Sequence, residues 1–115
     1  MDRLIEIRSY KLKPGTMEEF HAAVVASAVP MLRRWGTDVV AFGPSVHEAD
    51  CYFLVRAYAD LADLSSRQDA FYGSSEWCDG PRHSIVSRIE SYLSTVLRLS
   101  PESIEDLRRS NASAA

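Results

Sequence analysis

The chain reads as an α+β protein on the ferredoxin-like βαββαβ plan. Two observations predict this. Four segments carry strand character, and two helical segments fall between the first and second strands and between the third and fourth. The second and third strands are separated by only a short polar stretch, so they are expected to pair as a hairpin. In this plan the helices cover one face of the sheet, and the other face needs a cover of its own.

The first strand runs from about Leu4 to Lys13, where Pro14 and Gly15 stop it. Thr16 with Glu19 three residues on forms the pattern of a capping box. Met17, Phe20, Val24, Ala28, Met31 or Leu32, and Trp35 then recur at helical spacing, which predicts a helix from Met17 to Arg34. Pro30 is expected to kink or split it, and Gly36 to end it. Asp38 to Phe42 is rich in β-formers and reads as the second strand, and the near-continuous apolar run Cys51 to Tyr58 as the third. Asp60 is the expected N-cap of a helix from Leu61 to Tyr72, with Leu61, Leu64, Gln68 and Phe71 as its stripe. Ser75-Glu76-Trp77 opens a short piece ended by Gly80-Pro81, and Arg82 to Ser87 reads as helical. Ile89 to Leu99 alternates with period two and is the fourth strand. Ser100-Pro101-Glu102 starts a tail helix with Ile104 and Leu107 apolar, and Ser110 to Ala115 is expected to fray.

Taking alternate positions, one sheet face carries Glu6, Arg8 and Tyr10; Tyr52, Leu54, Arg56 and Tyr58; and Tyr92, Ser94 and Val96. The other carries Ile5, Ile7, Phe53, Val55, Leu93 and Leu97, and this greasier set is assigned to the helices. A face holding four tyrosines is too apolar for open water, so a second copy of the sheet is expected to cover it. Each buried aromatic removes roughly 150–250 Å² from water, worth roughly 25 cal/mol per Å², so a handful suffices to drive a homodimer.

With 115 residues, 46% hydrophobic and 25% charged, the chain suits one domain of ordinary globular composition. A net charge of −3 and a pI near 5.5 argue against nucleic acid as a partner. No apolar run reaches the roughly 20 residues that cross a bilayer, so no membrane partner is expected. The opening Met1-Asp2-Arg3-Leu4-Ile5 lacks a signal-peptide pattern, so the cytoplasm is the expected location. There Cys51 and Cys78 are expected to be free thiols, with too few partners for a thiolate metal site.

The opening I-E-I-R-S-Y-K-L-K-P-G resembles the first strand of the NIPSNAP family, an acidic-x-Arg-x-Tyr-x-Leu-Lys-Pro-Gly run. Pro30-Met31-Leu32, Trp35-Gly36, Tyr58-Ala59-Asp60-Leu61 and Ser75-Glu76-Trp77 are also similar to that family. The likeness spans residues 4–99, which marks residues 1–99 as a NIPSNAP-like domain and residues 100–115 as a C-terminal tail with a short helix. It implies a dimeric α+β barrel, in which two ferredoxin-like sheets face each other around a central space. It implies no settled reaction.

The candidate chemistry lies on the polar-aromatic face. Arg8 and Arg56 are candidates to clamp a carboxylate or phosphate, and the alternative is a buried ion network with Glu6 and Glu90. Tyr10, Tyr52, Tyr58 and Tyr92 are candidates to line a pocket for a flat aromatic ligand, and the alternative is core packing. Trp77 and His83 form a further candidate site, with His83 as acid–base group or haem ligand against the alternative of a surface histidine. His21 reads as a half-buried packing residue. No catalytic triad, phosphate-binding glycine loop or metal-ligand spacing is present, so no cofactor or metal is expected.

The expected function is binding of a small aromatic or acidic molecule in a pocket of the dimer. One alternative is an enzyme like others on this fold, which include cofactor-free monooxygenases, haem-degrading oxygenases and isomerases, with Tyr10, Arg56 and His83 in contact with substrate. Another is an interaction module whose barrel is filled by side chains.

Overall fold

A computed structural model describes residues 1–112 of the chain. Its elements run β1 (Arg3–Leu12), α1 (Met17–Ala23), a π-helical turn (Val24–Ala28), α2 (Val29–Arg34), β2 (Asp38–Pro44), β3 (Cys51–Tyr58), α3 (Leu61–Tyr72), α4 (Ser75–Cys78), α5 (Arg82–Val86), β4 (Ile89–Leu99) and α6 (Pro101–Ser110). The strands form one antiparallel sheet in the order β2-β3-β1-β4, the ferredoxin-like arrangement. The central pair registers Glu6 opposite Arg56 and Tyr10 opposite Tyr52, and β4 sets Ser94 opposite Arg8.

Several local expectations meet a specific outcome. Helical backbone is continuous from Met17 to Arg34, and the wide π turn falls immediately before Pro30. Proline has no N–H to donate to the Ala26 carbonyl and its ring would clash there, so the chain widens one turn instead of breaking. The capping box does not form. The Thr16 hydroxyl donates to the Lys13 carbonyl at 2.7 Å, which closes the turn at Gly15 (φ 80°) and leaves the helix start without a side-chain cap. Asp60 does cap α3, accepting from the Asp63 amide at 2.8 Å, and Ser74 and Ser100 cap α4 and α6. Ser110 closes α6 and is not frayed, while residues 113–115 of the expected frayed end lie outside the described residues.

The two sheet faces are the reverse of the assignment made from alternation. Helices α1 to α5 cover the face of Glu6, Arg8, Tyr10, Leu12, Tyr52 and Leu54. Phe20, Val24, Ala28, Leu32, Phe71, Trp77 and Ile85 pack there. Tyr10, Tyr52 and Tyr58 are therefore buried within the chain itself and do not need a second sheet. The reason is hydrogen bonding. The helices bring His21, Gln68 and Tyr72 to the phenols and charges of this face, so its polar groups are satisfied as they are buried.

On the opposite face, α6 packs Ile104, fully buried, onto Ile5, Val40, Ala41, Val55 and Ala57. A bulge between Val39 and Ala41 turns two consecutive β2 side chains toward that helix. Arg108 locks it with an ion pair to Asp38, which Arg3 shares. Past the reach of α6, Ile7, Leu93 and Leu97 remain exposed on this face.

Candidate functional site

The sheet register alone assembles a charge cluster. Glu6 sits opposite Arg56 on β3, and Arg8 opposite Ser94 on β4. The Glu6 carboxylate accepts four hydrogen bonds. Oε1 takes Arg56 Nη2 and Gln68 Nε2, each at 2.7 Å. Oε2 takes Arg8 Nη2 at 2.9 Å and Ser94 Oγ at 2.8 Å. Burial alone would raise the Glu6 pKa, but the Arg56 and Arg8 guanidiniums and the Ser94 hydroxyl outweigh it and hold the carboxyl below its usual value. Arg56 is fully buried and directs its remaining reach to Tyr72, donating Nη1 to the hydroxyl at 2.8 Å. Its Nε has no hydrogen-bond partner among the described residues. Arg56 and Glu6 are thus the structural hub of the sheet–helix interface, as the ion-network alternative holds, whereas Glu90 pairs with Lys11 instead.

Beside this hub, between the sheet and α3 to α5, lies a cleft of about 740 Å³. Its sheet side is Arg8, Tyr10 and Tyr92; its helix side is Gln68, Tyr72, Trp77, Arg82 and Ile85. The rings form two pairs. Tyr10 and Tyr92 stand 6.1 Å apart, and Tyr72 and Trp77 meet edge to face at 5.4 Å. The Arg8 guanidinium lies over the Tyr92 ring at 4.8 Å. Tyr10 is 8% exposed, and burial, with Tyr72 beside it, pushes its phenol up to about 12. It stays a hydrogen-bond donor at neutral pH and cannot act as a base. Under the cleft, and sharing Tyr10, Tyr72, Trp77 and Ile85 with it, is an apolar void of about 30 Å³ against Val24, Ala28 and Val29 at the π turn.

The structure therefore brings together four of the candidates named from the sequence: Arg8, Tyr10, Trp77 and Tyr92. Four others stand apart. Arg56 is in the hub, Tyr58 is buried and accepts from Gln68, and Tyr52 is buried and bonded to the half-buried His21 at 2.6 Å. His83 is exposed on α5 and does not line the cleft. Tyr72, Gln68 and Arg82 were not named as site candidates from sequence, Gln68 being read only as part of the helical stripe. Gln68 and Tyr72 had a signal: they sit four apart on a helix with a thin apolar stripe, the spacing at which two polar side chains reach the same neighbour. Among the described residues, no group of three His, Cys, Asp or Glu side chains gathers to hold a metal.

Comparison with known proteins agrees with this architecture. The model of the NIPSNAP family matches residues 5–103. A NIPSNAP family protein of Agrobacterium tumefaciens superposes with a TM-score of 0.78 at 18% identity, over 89% of this chain and 90% of that one. A NIPSNAP-like domain protein of Burkholderia xenovorans gives 0.76 at 19% identity, over 83% of each chain. A proposed antibiotic biosynthesis monooxygenase from Nitrosomonas europaea gives 0.60 at 18% identity, over 82% of this chain and 95% of that one. No curated protein matches the sequence.

Proposed function

This chain belongs to the NIPSNAP family, and we propose that it serves as a small-molecule-binding protein whose site is the cleft between its sheet and helices α3 to α5. The observation that carries this reading is the cleft itself: about 740 Å³, walled by aromatic rings, with the Arg8 and Arg82 guanidiniums in its lining. That combination of apolar walls and a few fixed polar groups is what small-molecule sites are made of. A catalytic reading has less support. Glu6 is saturated by four donors and lies outside the cleft lining, and Tyr10 keeps its proton, which leaves Glu90, half exposed beside Lys11 at 3.5 Å, as the one carboxylate of the lining.

We further propose that two copies assemble through the face opposite the cleft. Ile7, Leu93 and Leu97 are exposed there at 36%, 76% and 38%, while the outer side of α6 is charged with Glu102, Glu105, Asp106 and Arg109. The second copy meets the β1–β4 half and α6 forms the rim. Each subunit then keeps its own cleft. The free thiols Cys51 and Cys78 suit a reducing cytoplasm.

Thermal unfolding with a panel of planar aromatic compounds tests the binding reading. A ligand at a hundred times its Kd adds about 2.7 kcal/mol to the folded state, which is several degrees in Tm. A panel that leaves Tm unchanged at millimolar concentration contradicts it.

A further inference from the structure

The charges in and around the cleft narrow the class of small molecule it takes, an assignment that rests on the binding reading. The hub sets two guanidiniums, Arg8 and Arg56, against one carboxylate, Glu6, which leaves one positive charge in excess. Arg8 is the member that reaches the cleft. It commits Nε to Ser94 at 3.1 Å and Nη2 to Glu6, and among the described residues no carboxylate meets its Nη1. Arg82 adds a second cation to the cleft lining and makes no ion pair among the described residues. The single acid of the lining, Glu90, is already paired with Lys11. A chain of net charge −3 has thus gathered unmatched positive charge at one concave place.

The walls add a shape. Two ring pairs, Tyr10 with Tyr92 tilted at 49° and Tyr72 with Trp77 edge to face at 81°, line the sheet and helix sides of the same space. A planar guest can lie between them, and its anionic end can complete the donor set of Arg8. We infer that the ligand of this cleft is a planar aromatic acid, with its carboxylate on Arg8 and its ring between Tyr92 and the Tyr72–Trp77 pair. A carboxylate suits a guanidinium already placed over Tyr92 and bonded to Ser94 and Glu6, because its position is set before the ligand arrives. Tyr10 is a neutral donor beside the same seat and adds no repulsion.

Calorimetric titration of the full chain with 2-naphthoate and with 2-naphthamide, its neutral counterpart, separates charge from shape. The acid is expected to bind tighter by about tenfold or more, the ratio one charge-assisted hydrogen bond supplies. Arg8→Gln should bring the two probes to equal affinity, and Arg82→Gln, at an exposed position, should narrow the gap without closing it. Equal affinity of the two probes for the unaltered chain overturns the acid assignment and leaves the binding reading standing. An acid preference that survives in Arg8→Gln overturns the role of Arg8. Binding of neither probe at millimolar concentration overturns both. The comparison on the unaltered chain decides the matter even if Arg8→Gln fails to fold.

Discussion

Replacing Glu6 with Gln changes almost no atoms and removes one charge. In the folded chain Glu6 is 3% exposed and Arg56 not exposed at all, and the two meet at 2.7 Å. The variant therefore leaves Arg56 as a buried cation with no anion, and leaves Arg8 short of its partner as well. Breaking a buried pair from one side costs about 3–5 kcal/mol, a large share of the roughly 5–15 kcal/mol that holds a domain folded. For a domain of this size the loss corresponds to a fall in Tm of about 12–20 °C. Urea unfolding at neutral pH measures it directly. Glu90→Gln is the control, since its exposed pair with Lys11 is worth about 0–1 kcal/mol. The pH dependence gives an independent check on sign. The folded pKa of Glu6 is lowered, so its contribution is complete above the ordinary carboxylate value and is lost as pH falls through the folded value. The parent should lose this stability on acidification and Glu6→Gln should not. A loss of less than about 1 kcal/mol in Glu6→Gln would refute the claim that this carboxylate is the hub of the interface.

Ile104→Ala should cost about 2–5 kcal/mol, because Ile104 is fully buried under α6, and urea unfolding reads it. A cost below about 1 kcal/mol would mean that α6 does not dock on the sheet. Leu93→Arg should convert a dimer into single subunits at micromolar concentration by light scattering; a parent chain that is already a single subunit contradicts the proposed assembly. Ultraviolet difference titration should show Tyr10 ionising only at about pH 12, with the buried Tyr52 and Tyr58 phenols also delayed beyond the ordinary phenol range. Because the unfolded chain gives up these protons first, the same groups should lower stability as pH rises above the ordinary phenol value.

The element order was legible because the period changes cleanly. The third strand Cys51–Tyr58, the helix Leu61–Tyr72 and the last strand Ile89–Leu99 fall where the apolar run, the Asp60 cap and period-two alternation place them. Which face meets the helices was not legible from alternation. Period two separates two sets of residues but does not say which set the helices take. Apolarity pointed to Ile5, Ile7 and Phe53, yet Glu6 and Arg56 can be buried only where donors and acceptors come to them, and those come from Gln68 and Tyr72. The pairing of Glu6 with Arg56 was visible as two ionisable residues on one face. Its consequence, that the hub anchors α3 and leaves Arg8 to the cleft, needed the cross-strand register. His83 looked attractive for its neighbours in sequence, Trp77 and Cys78, but α5 carries it to the outside while Trp77 turns in.

Amide chemical-shift mapping during a titration with 2-naphthoate tests most directly whether the cleft is the binding site. Perturbed amides should cluster at Arg8, Tyr10, Tyr72, Trp77 and the stretch from Ile89 to Tyr92. Shifts centred on Ile7, Phe53, Leu93 and Leu97, on the far face of the sheet, would contradict that placement.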